Sequence, residues 1–587
     1  MSTITDTIKK IHSNDNAQLD IIFSNSPRIM VEAPAGCGKT KTMVSKIAYI
    51  IATEQLPKHK KILALTFSVN AAYKMKKDIV EQLPSLGMDT IKSPADINRR
   101  MYVSNYHGFA RKILGLYGYL LSPYLKDIYL LQAIDDNNIE SLMQLNLGLS
   151  LDDATKISKF NDSVKNAEAE YIKNNLDDYL NYVYNNFLPN NYIPYNAYLL
   201  LLKELLEKNQ QLKNFLIKLY PIIIIDEFQD TNILSWNILR LIIRDDSRLI
   251  FLGDSLQRIY GFIGAIPNLI SLATKQYNMK VMELVTNYRF KNNPNMLLLD
   301  KNIRENARNW ECPHIDSQAV VPFKLFDSQE DEIAYLLDNF DPNEKTAVLV
   351  QSRTENLNML LNELKMRKID YFYALFKEDD NEYITYHNDM LRLFSEKHKK
   401  GKRISKTSLE STLSSLQLKY DGTDSPTISS LLALSKIFFE RVLGEYGFLT
   451  NEEKYLLITD ALANRSLKQN MEYVDAKLVV STIHGAKGLE WEYVFLPDME
   501  QYVFPNFYSL CGKCNFNYNS IREHRCILSP NDIIVEDFLE LLSVFYVAVT
   551  RAKKQIYFSA SKKRYGYKGE TNSNISCLLS LPGITLN

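Results

Sequence analysis

Ala33-Pro34-Ala35-Gly36-Cys37-Gly38-Lys39-Thr40 follows the apolar run Ile29-Met30-Val31 and precedes Lys41 and the helix-like Thr42-Met43-Val44-Ser45-Lys46-Ile47. The order is strand, glycine turn, helix start. Such a turn aims consecutive backbone N–H groups and a helix N-terminus at one point, where a polyphosphate can sit. Lys39 is placed to reach the β- and γ-phosphates, and Thr40 to ligate Mg²⁺. Residues 33 to 41 are therefore the candidate triphosphate site, with Ala33, Pro34, Ala35, Gly36, Cys37, Gly38 and Lys41 around the lysine and threonine. Ala33 stands where the general pattern has its first glycine, so the reading rests on Gly36, Gly38, Lys39, Thr40 and their setting.

Working outward, 587 residues exceed what one hydrophobic core serves, and about three to five compact units are expected. Lys+Arg and Asp+Glu each number 69, which removes any argument from global charge for nucleic acid or membrane. A nucleic-acid site has to be a local groove. No apolar run approaches the roughly 20 residues of a membrane span, and the N-terminus lacks an apolar leader segment. A soluble, cytoplasmic chain with reduced or metal-bound thiols is expected, since six cysteines in this length do not make a disulfide scaffold.

Apolar runs at 28–32, 61–66, 221–225 and 248–252 alternate with helical patterns, the rhythm of a parallel sheet covered by helices on both faces. Leucine and tyrosine at three- and four-residue spacing between Tyr117 and Leu219 predict a helical insertion. A second α/β unit begins near Glu283, carries its own helical insertion, and resumes at Leu478. The expected fold is α/β, with two parallel-sheet domains, each with a mainly helical insertion, the first carrying the glycine turn. The segments are 1–116 and 215–282 for the first domain (1A), with insertion 117–214 (1B). The second domain (2A) takes 283–372 and 471–587, with a reduced insertion 373–470 (2B) and a cysteine-containing insertion 506–530.

Ile222 to Ile225 lead into Asp226-Glu227-Phe228-Gln229-Asp230-Thr231, two carboxylates at the C-terminal end of a buried strand, where ligands of open α/β sheets bind. Asp226 is the candidate Mg²⁺ holder and Glu227 the base that orients and deprotonates water.

With these residues the chain resembles the superfamily 1A DNA helicases, the UvrD/PcrA/Rep group, along nearly its whole length. Gln18, 21 residues before Lys39, is similar to the family's adenine-reading glutamine. Thr66 to Met75 resembles motif Ia, Tyr106-His107-Gly108-Phe109 motif Ib, and Asp226 to Thr231 the family's DEFQDT. Gly253 to Ala265 resembles motif III, Asn287-Tyr288-Arg289 motif IV, Ser481 to Glu490 motif V, and Tyr546 to Lys553 motif VI. The resemblance implies that the two parallel-sheet domains are RecA-like P-loop domains, with ATP and Mg²⁺ as cofactors and a split ATPase site. Arg289 and Arg551 would face Lys39 across it, Gln257 would couple the γ-phosphate to DNA contacts, Tyr288 would stack on the base, and Glu490 would help complete the pocket. It also implies single-stranded DNA or a tailed duplex as partner, 3′ to 5′ movement, and DNA contacts at Phe67, Asn70, Tyr106, His107, Tyr260, Phe262 and His484.

Three departures stand out. Ile263 occupies a motif III arginine position and Phe262 the place of the family's tryptophan; Glu540 to Ser543 lacks most of the charges that open motif VI. The second insertion is only about one hundred residues. The motif III changes and the reduced second insertion favour an alternative, a DNA-stimulated ATPase that acts as nucleic-acid sensor or regulator of a partner nuclease without processive unwinding. The compact plan is also similar to the helicase subunit of the Gabija anti-phage system, which implies an OLD-family nuclease as partner; DNA repair is the other expected setting. Residues 397 to 406 carry six Lys/Arg, a solvated loop or a phosphate contact. Cys511, Cys514, His524 and Cys526 match a Cys₃His zinc site, or else are reduced surface groups.

Overall fold

The computed structural model describes residues 4–86, 94–259, 264–376, 380–399, 401–512, 521–522, 525–526, 535–566 and 569–587. Two six-stranded sheets, every neighbouring pair parallel, organise it. The first comprises β1 (Arg28–Glu32), β2 (Ile62–Thr66), β3 (Met101–Asn105), β4 (Ile222–Ile225), β5 (Arg248–Gly253) and β6 (Lys280–Glu283), in the spatial order 3-2-4-5-1-6. The second comprises β7 (Phe323–Phe326), β8 (Thr346–Val350), β9 (Phe372–Ala374), β10 (Leu478–Thr482), β11 (Trp491–Leu496) and β12 (Ala552–Ser561), in the order 7-12-11-8-10-9. The mixed α/β fold is that of two RecA-like domains.

The continuous apolar strands follow from burial on both faces. Side chains alternate across a pleat, and Met30, Ile223, Ile225, Leu249 and Phe251 join the core under the first helical insertion. Ile29, Val31, Ile222, Ile224, Ile250 and Leu252 join the opposite core, with α1 (Asn16–Phe23), α2 (Lys39–Ala52) and α3 (Val69–Ser85). Each fully buried aliphatic side chain stabilises the fold by roughly 1.5–3 kcal/mol, so neither face can be polar. In the second sheet Val348, Val350, Leu478 and Val480 face one helical layer, and Ala347, Leu349, Val479 and Val494 the other.

Helices from Tyr106 to Leu219 lie between β3 and β4, and four helices spanning 381–463 lie between β9 and β10. Sequence dictates several of their starts. Ser150, Ser405 and Thr450 form reciprocal capping boxes, and Ser425 caps a helix that begins at Pro426. In the basic run, Lys397 donates to Ser411 O and Oγ and to Ser415 Oγ at 2.7–2.9 Å, tying two helices together. The second insertion touches the first sheet's helices and the first insertion through ion pairs Arg111 with Asp460, Lys74 with Glu472 (2.6 Å), Lys77 with Glu445 (3.5 Å) and Arg465 with Asp135 (3.7 Å). Among the described residues no helix is long and apolar enough to cross a membrane.

Candidate nucleotide site and interdomain cleft

Three neighbouring strands of the first sheet end together. Glu32 of β1 pairs with Gly253 of β5, and Ile225 of β4 pairs with Phe251. The glycine turn, Asp226-Glu227 and Asp254 therefore converge on the C-terminal edge of the sheet, where open α/β folds hold ligands. Gly36 and Gly38 have φ of +81° and +77°, the left-handed region open to glycine. A Cβ on Gly36 would lie 2.7 Å from Arg289 Cβ, and one on Gly38 2.7 Å from Gln18 Nε2. Gly38 then caps α2, whose first turn carries Lys39 and the half-buried Thr40.

Lys39 Nζ lies 3.3 Å from Asp226 Oδ1 and is hydrogen-bonded to Glu227 Oε1. Burial works against the ammonium, but the two carboxylates outweigh it and raise its pKa. Burial also opposes ionisation of Glu227, yet Lys39 and Lys487 hold it down to about 2; Asp226, more affected by burial and by Glu227, is shifted up. Glu227 sits at φ +52°, a strained position for a non-glycine residue, and Gln229 Nε2 donates to its Oε2 at 2.6 Å. The residues fit a magnesium nucleotide: Thr40 and Asp226 would hold the ion, and the glycine turn with Lys39 the phosphates. Of the remaining turn residues, Ala33 donates its N–H to Gly253 O, the buried Cys37 has its thiol pushed up to about 12 chiefly by burial, and Lys41 donates to Ile11 O rather than into the turn.

Asn287-Tyr288-Arg289 lies directly on the turn. Asn287 Nδ2 donates to Ala35 O at 3.1 Å, and Tyr288 N to Gly36 O at 2.9 Å. Tyr288 OH donates to Asp15 Oδ2 at 2.6 Å, beside Gln18, which is 2 % exposed and donates to Cys37 O. Arg289 pairs with Glu490 at 2.6 Å and donates to Thr550 O; Lys553 reaches Glu490 at 2.8 Å. Arg551, 1 % exposed, donates to Val547 O, Leu489 O and Thr550 Oγ1, and makes no ion pair among the described residues. Burial and then Arg289 lower its pKa to about 9. A buried guanidinium without an anion is costly unless a ligand supplies one. Gln257 donates through Nε2 to Asp254 Oδ2 at 2.6 Å.

Several bridging residues carry no site role in the sequence reading. Lys487, inside the motif V stretch, places Nζ 2.9 and 2.7 Å from the Asp230 carboxylate oxygens and 2.7 Å from Gln257 O. Arg304, on the helix Pro294–Arg308, pairs with Asp254 at 2.6 Å and donates to Tyr546 OH, which donates to Asp300. Motif membership was the one signal available for Lys487; Arg304 lies outside any quoted motif, on an unremarkable polar face.

The expected DNA-contact residues that the structure describes follow strand ends but differ in access. Phe67 follows β2 and is half-buried; Asn70 is on α3, with its side chain outside the described residues. Tyr106 is 4 % exposed and shares a 3.0 Å hydrogen bond with Thr231 Oγ1, so in this conformation it braces the acidic motif. His107 stacks on Tyr195 with centroids 3.8 Å apart, and burial pushes it down to about 3. His484 is pushed down to about 4 by burial and then Lys487. Tyr260 and Phe262 lie outside the described residues, as do Cys514 and His524, and of Cys526 only the backbone is described. Cys511 Sγ donates to Pro505 O at 3.2 Å, and the described residues contain no His/Cys/Asp/Glu cluster able to hold a metal. The zinc reading gains no support.

The fold and site define a nucleotide-driven two-domain enzyme whose pocket is completed from both sheets. Family models agree: the UvrD/REP helicase N-terminal domain matches residues 14–278, and the UvrD-like helicase C-terminal domain matches 149–563. The chain belongs to the UvrD/Rep helicase family, a family of ATP-driven DNA helicases. A probable DNA helicase II homolog of Mycoplasma capricolum is 22% identical, over 94% of this chain and 85% of the relative. The ATP-dependent DNA helicase Rep of Buchnera aphidicola (subsp. Schizaphis graminum) is 22% identical over 94% of each, and DNA helicase II of Rickettsia typhi 24% over 94% and 93%.

Proposed function

We propose that this chain is a 3′ to 5′ translocase on single-stranded DNA that uses ATP closure of its two sheets to separate a tailed duplex. The supporting observation is the split site. Lys39, Asp226 and Glu227 stand on the first sheet, while the buried Arg551, with no carboxylate partner among the described residues, reaches the same cleft from the second. Bound ATP with Mg²⁺ supplies the phosphoryl group to be cleaved and the charge that the cationic side chains neutralise. Gln18 reads the adenine edge and Tyr288 stacks on it. Lys39 leaves its carboxylate partners for the phosphates, which frees Glu227, ionised at working pH, to accept the proton of the attacking water. Arg289 and Arg551 bind the equatorial oxygens as negative charge spreads. Gln257, next to Asp254 and Lys487, carries the state of the pocket toward the strand-end edge, where Phe67 and His484 face the DNA path. The polarity comes with the family and a cytoplasmic location with the reaction.

The test is ATPase activity with and without single-stranded DNA, together with strand displacement on 3′- and 5′-tailed duplexes. DNA raises hydrolysis many-fold, Lys39→Ala and Glu227→Gln reduce it by about 10²–10⁴-fold, and only the 3′-tailed duplex opens. Hydrolysis indifferent to DNA would sink the motor reading. Stimulated hydrolysis without displacement would favour the sensor alternative, to which the short second insertion points.

A further inference from the structure

His12 precedes the helix that carries Gln18 and is 1 % exposed. Its Nε2 lies 2.8 Å from Ser45 Oγ, on the helix the glycine turn feeds, and its Nδ1 is hydrogen-bonded to Gln18 Oε1. At the other end of the same carboxamide, Gln18 Nε2 donates to Cys37 O at 3.2 Å. A carbonyl oxygen can only accept, so the Cys37 contact turns the amide NH₂ toward the glycine turn and its oxygen toward His12. One tautomer satisfies the whole chain: Nδ1 donates to Gln18, and Nε2 accepts from the Ser45 hydroxyl. Burial lowers the pKa of His12 and keeps it in this neutral form. Ser45 and Cys37 both belong to the P-loop and its helix, so the ring of contacts begins and ends on the phosphate site.

We propose that His12 is a positioning residue for nucleotide choice: by holding the Gln18 carboxamide in one orientation, it sets the preference for adenine over guanine. Adenine offers a donor and an acceptor side by side, N6–H and N7, whereas guanine offers two acceptors, O6 and N7. A carboxamide presents one acceptor and one donor, so its fixed orientation matches adenine and sets oxygen against oxygen for guanine. An amide oxygen has two lone pairs; His12 takes one and leaves the other for N6–H. Without His12 only the 3.2 Å contact to Cys37 O holds the amide, and its buried oxygen loses a donor. The inference rests on the assignment of Gln18 to the adenine edge.

The test is steady-state hydrolysis of ATP and of GTP by the full chain with single-stranded DNA, comparing wild type, His12→Leu, His12→Asn and Gln18→Ala. His12→Leu raises KM for ATP about tenfold, the consequence of one lost buried hydrogen bond, with a smaller change in kcat, and narrows the ATP:GTP ratio of kcat/KM by a similar factor. His12→Asn, which can again offer an N–H, restores most of that ratio. Adding His12→Leu to Gln18→Ala narrows it no further. An ATP:GTP ratio in His12→Leu equal to that of active wild type, or equal losses with both nucleotides, would overturn the proposal and leave the ATPase reading standing. A wild-type chain that hydrolyses no ATP would take both down.

Discussion

At Gly38 two constraints coincide. The backbone is left-handed, which costs a residue with a Cβ about 1–2 kcal/mol, and that Cβ would meet the Gln18 amide at 2.7 Å. Gly38→Ala is therefore expected to raise KM for ATP at least about tenfold while far-UV circular dichroism stays unchanged; an unchanged KM would show that the turn relaxes freely. His107 makes a different kind of prediction. Burial lowers its pKa to about 3, and Nε2 has no hydrogen-bond partner among the described residues. The folded chain holds it neutral while the unfolded chain protonates near its usual value of about 6.5, so stability present above that value is lost progressively as pH falls toward 3. His107→Phe keeps a ring against Tyr195 and removes the titration. The drop in melting temperature between pH 7.5 and pH 5 should be smaller in this variant than in wild type, and an equal drop would rule out the assigned protonation state.

At the scale of elements, the helix Asn16–Phe23 is held at both ends. Asp15 caps its N-terminus by accepting from Gln18 N at 3.1 Å and also accepts from Tyr288 OH. At the other end Lys46, buried in the P-loop helix, donates to Ile22 O and Ser24 O at 2.8 and 2.6 Å. Asp15→Ala removes a cap worth about 1 kcal/mol and the tie to Tyr288, so it should weaken ATP binding several-fold in a fluorescent-nucleotide titration. Affinity equal to wild type would mean the helix is held by Lys46 and packing alone. Much at this scale was legible. The continuous run Ile222–Ile225 predicts a strand buried on both faces, and it is one; the glycines at 36 and 38 predict a turn feeding a helix, and the helix starts at Lys39. What escaped the sequence was pairing across long separations. Nothing in the polar stretch around His12 says that its ring reaches Ser45. Nor does the helical pattern around Arg304 say that its guanidinium crosses to Asp254, because periodicity gives a face and never a partner.

For the whole molecule, the question is what holds the two sheets in register around the cleft. Buried ion pairs among the described residues cross it, Lys487 of the second domain with Asp230 of the first and Arg304 with Asp254. Asp230 is 2 % exposed, and burial raises its pKa to about 6 even beside Lys487. Removing one partner of such a pair is far more costly than removing both, about 3–5 kcal/mol in buried examples, because a charge is left without compensation. Lys487 also donates to the carbonyl of Gln257, so the same ammonium links the acidic motif, the Gln257 segment after β5 and the second sheet. Lys487→Met should therefore open the cleft and reduce DNA-stimulated kcat by about tenfold or more, with less effect on hydrolysis in the absence of DNA. Asp230→Asn in the same chain should recover part of the loss, since the stranded carboxylate is then neutral. Distance between fluorophores on the two sheets, read with and without ATP, separates this from a local defect. If the single variant closes on ATP as wild type does and keeps its DNA stimulation, the ion pair is a passive contact and coupling runs elsewhere, through Arg304 and Asp254.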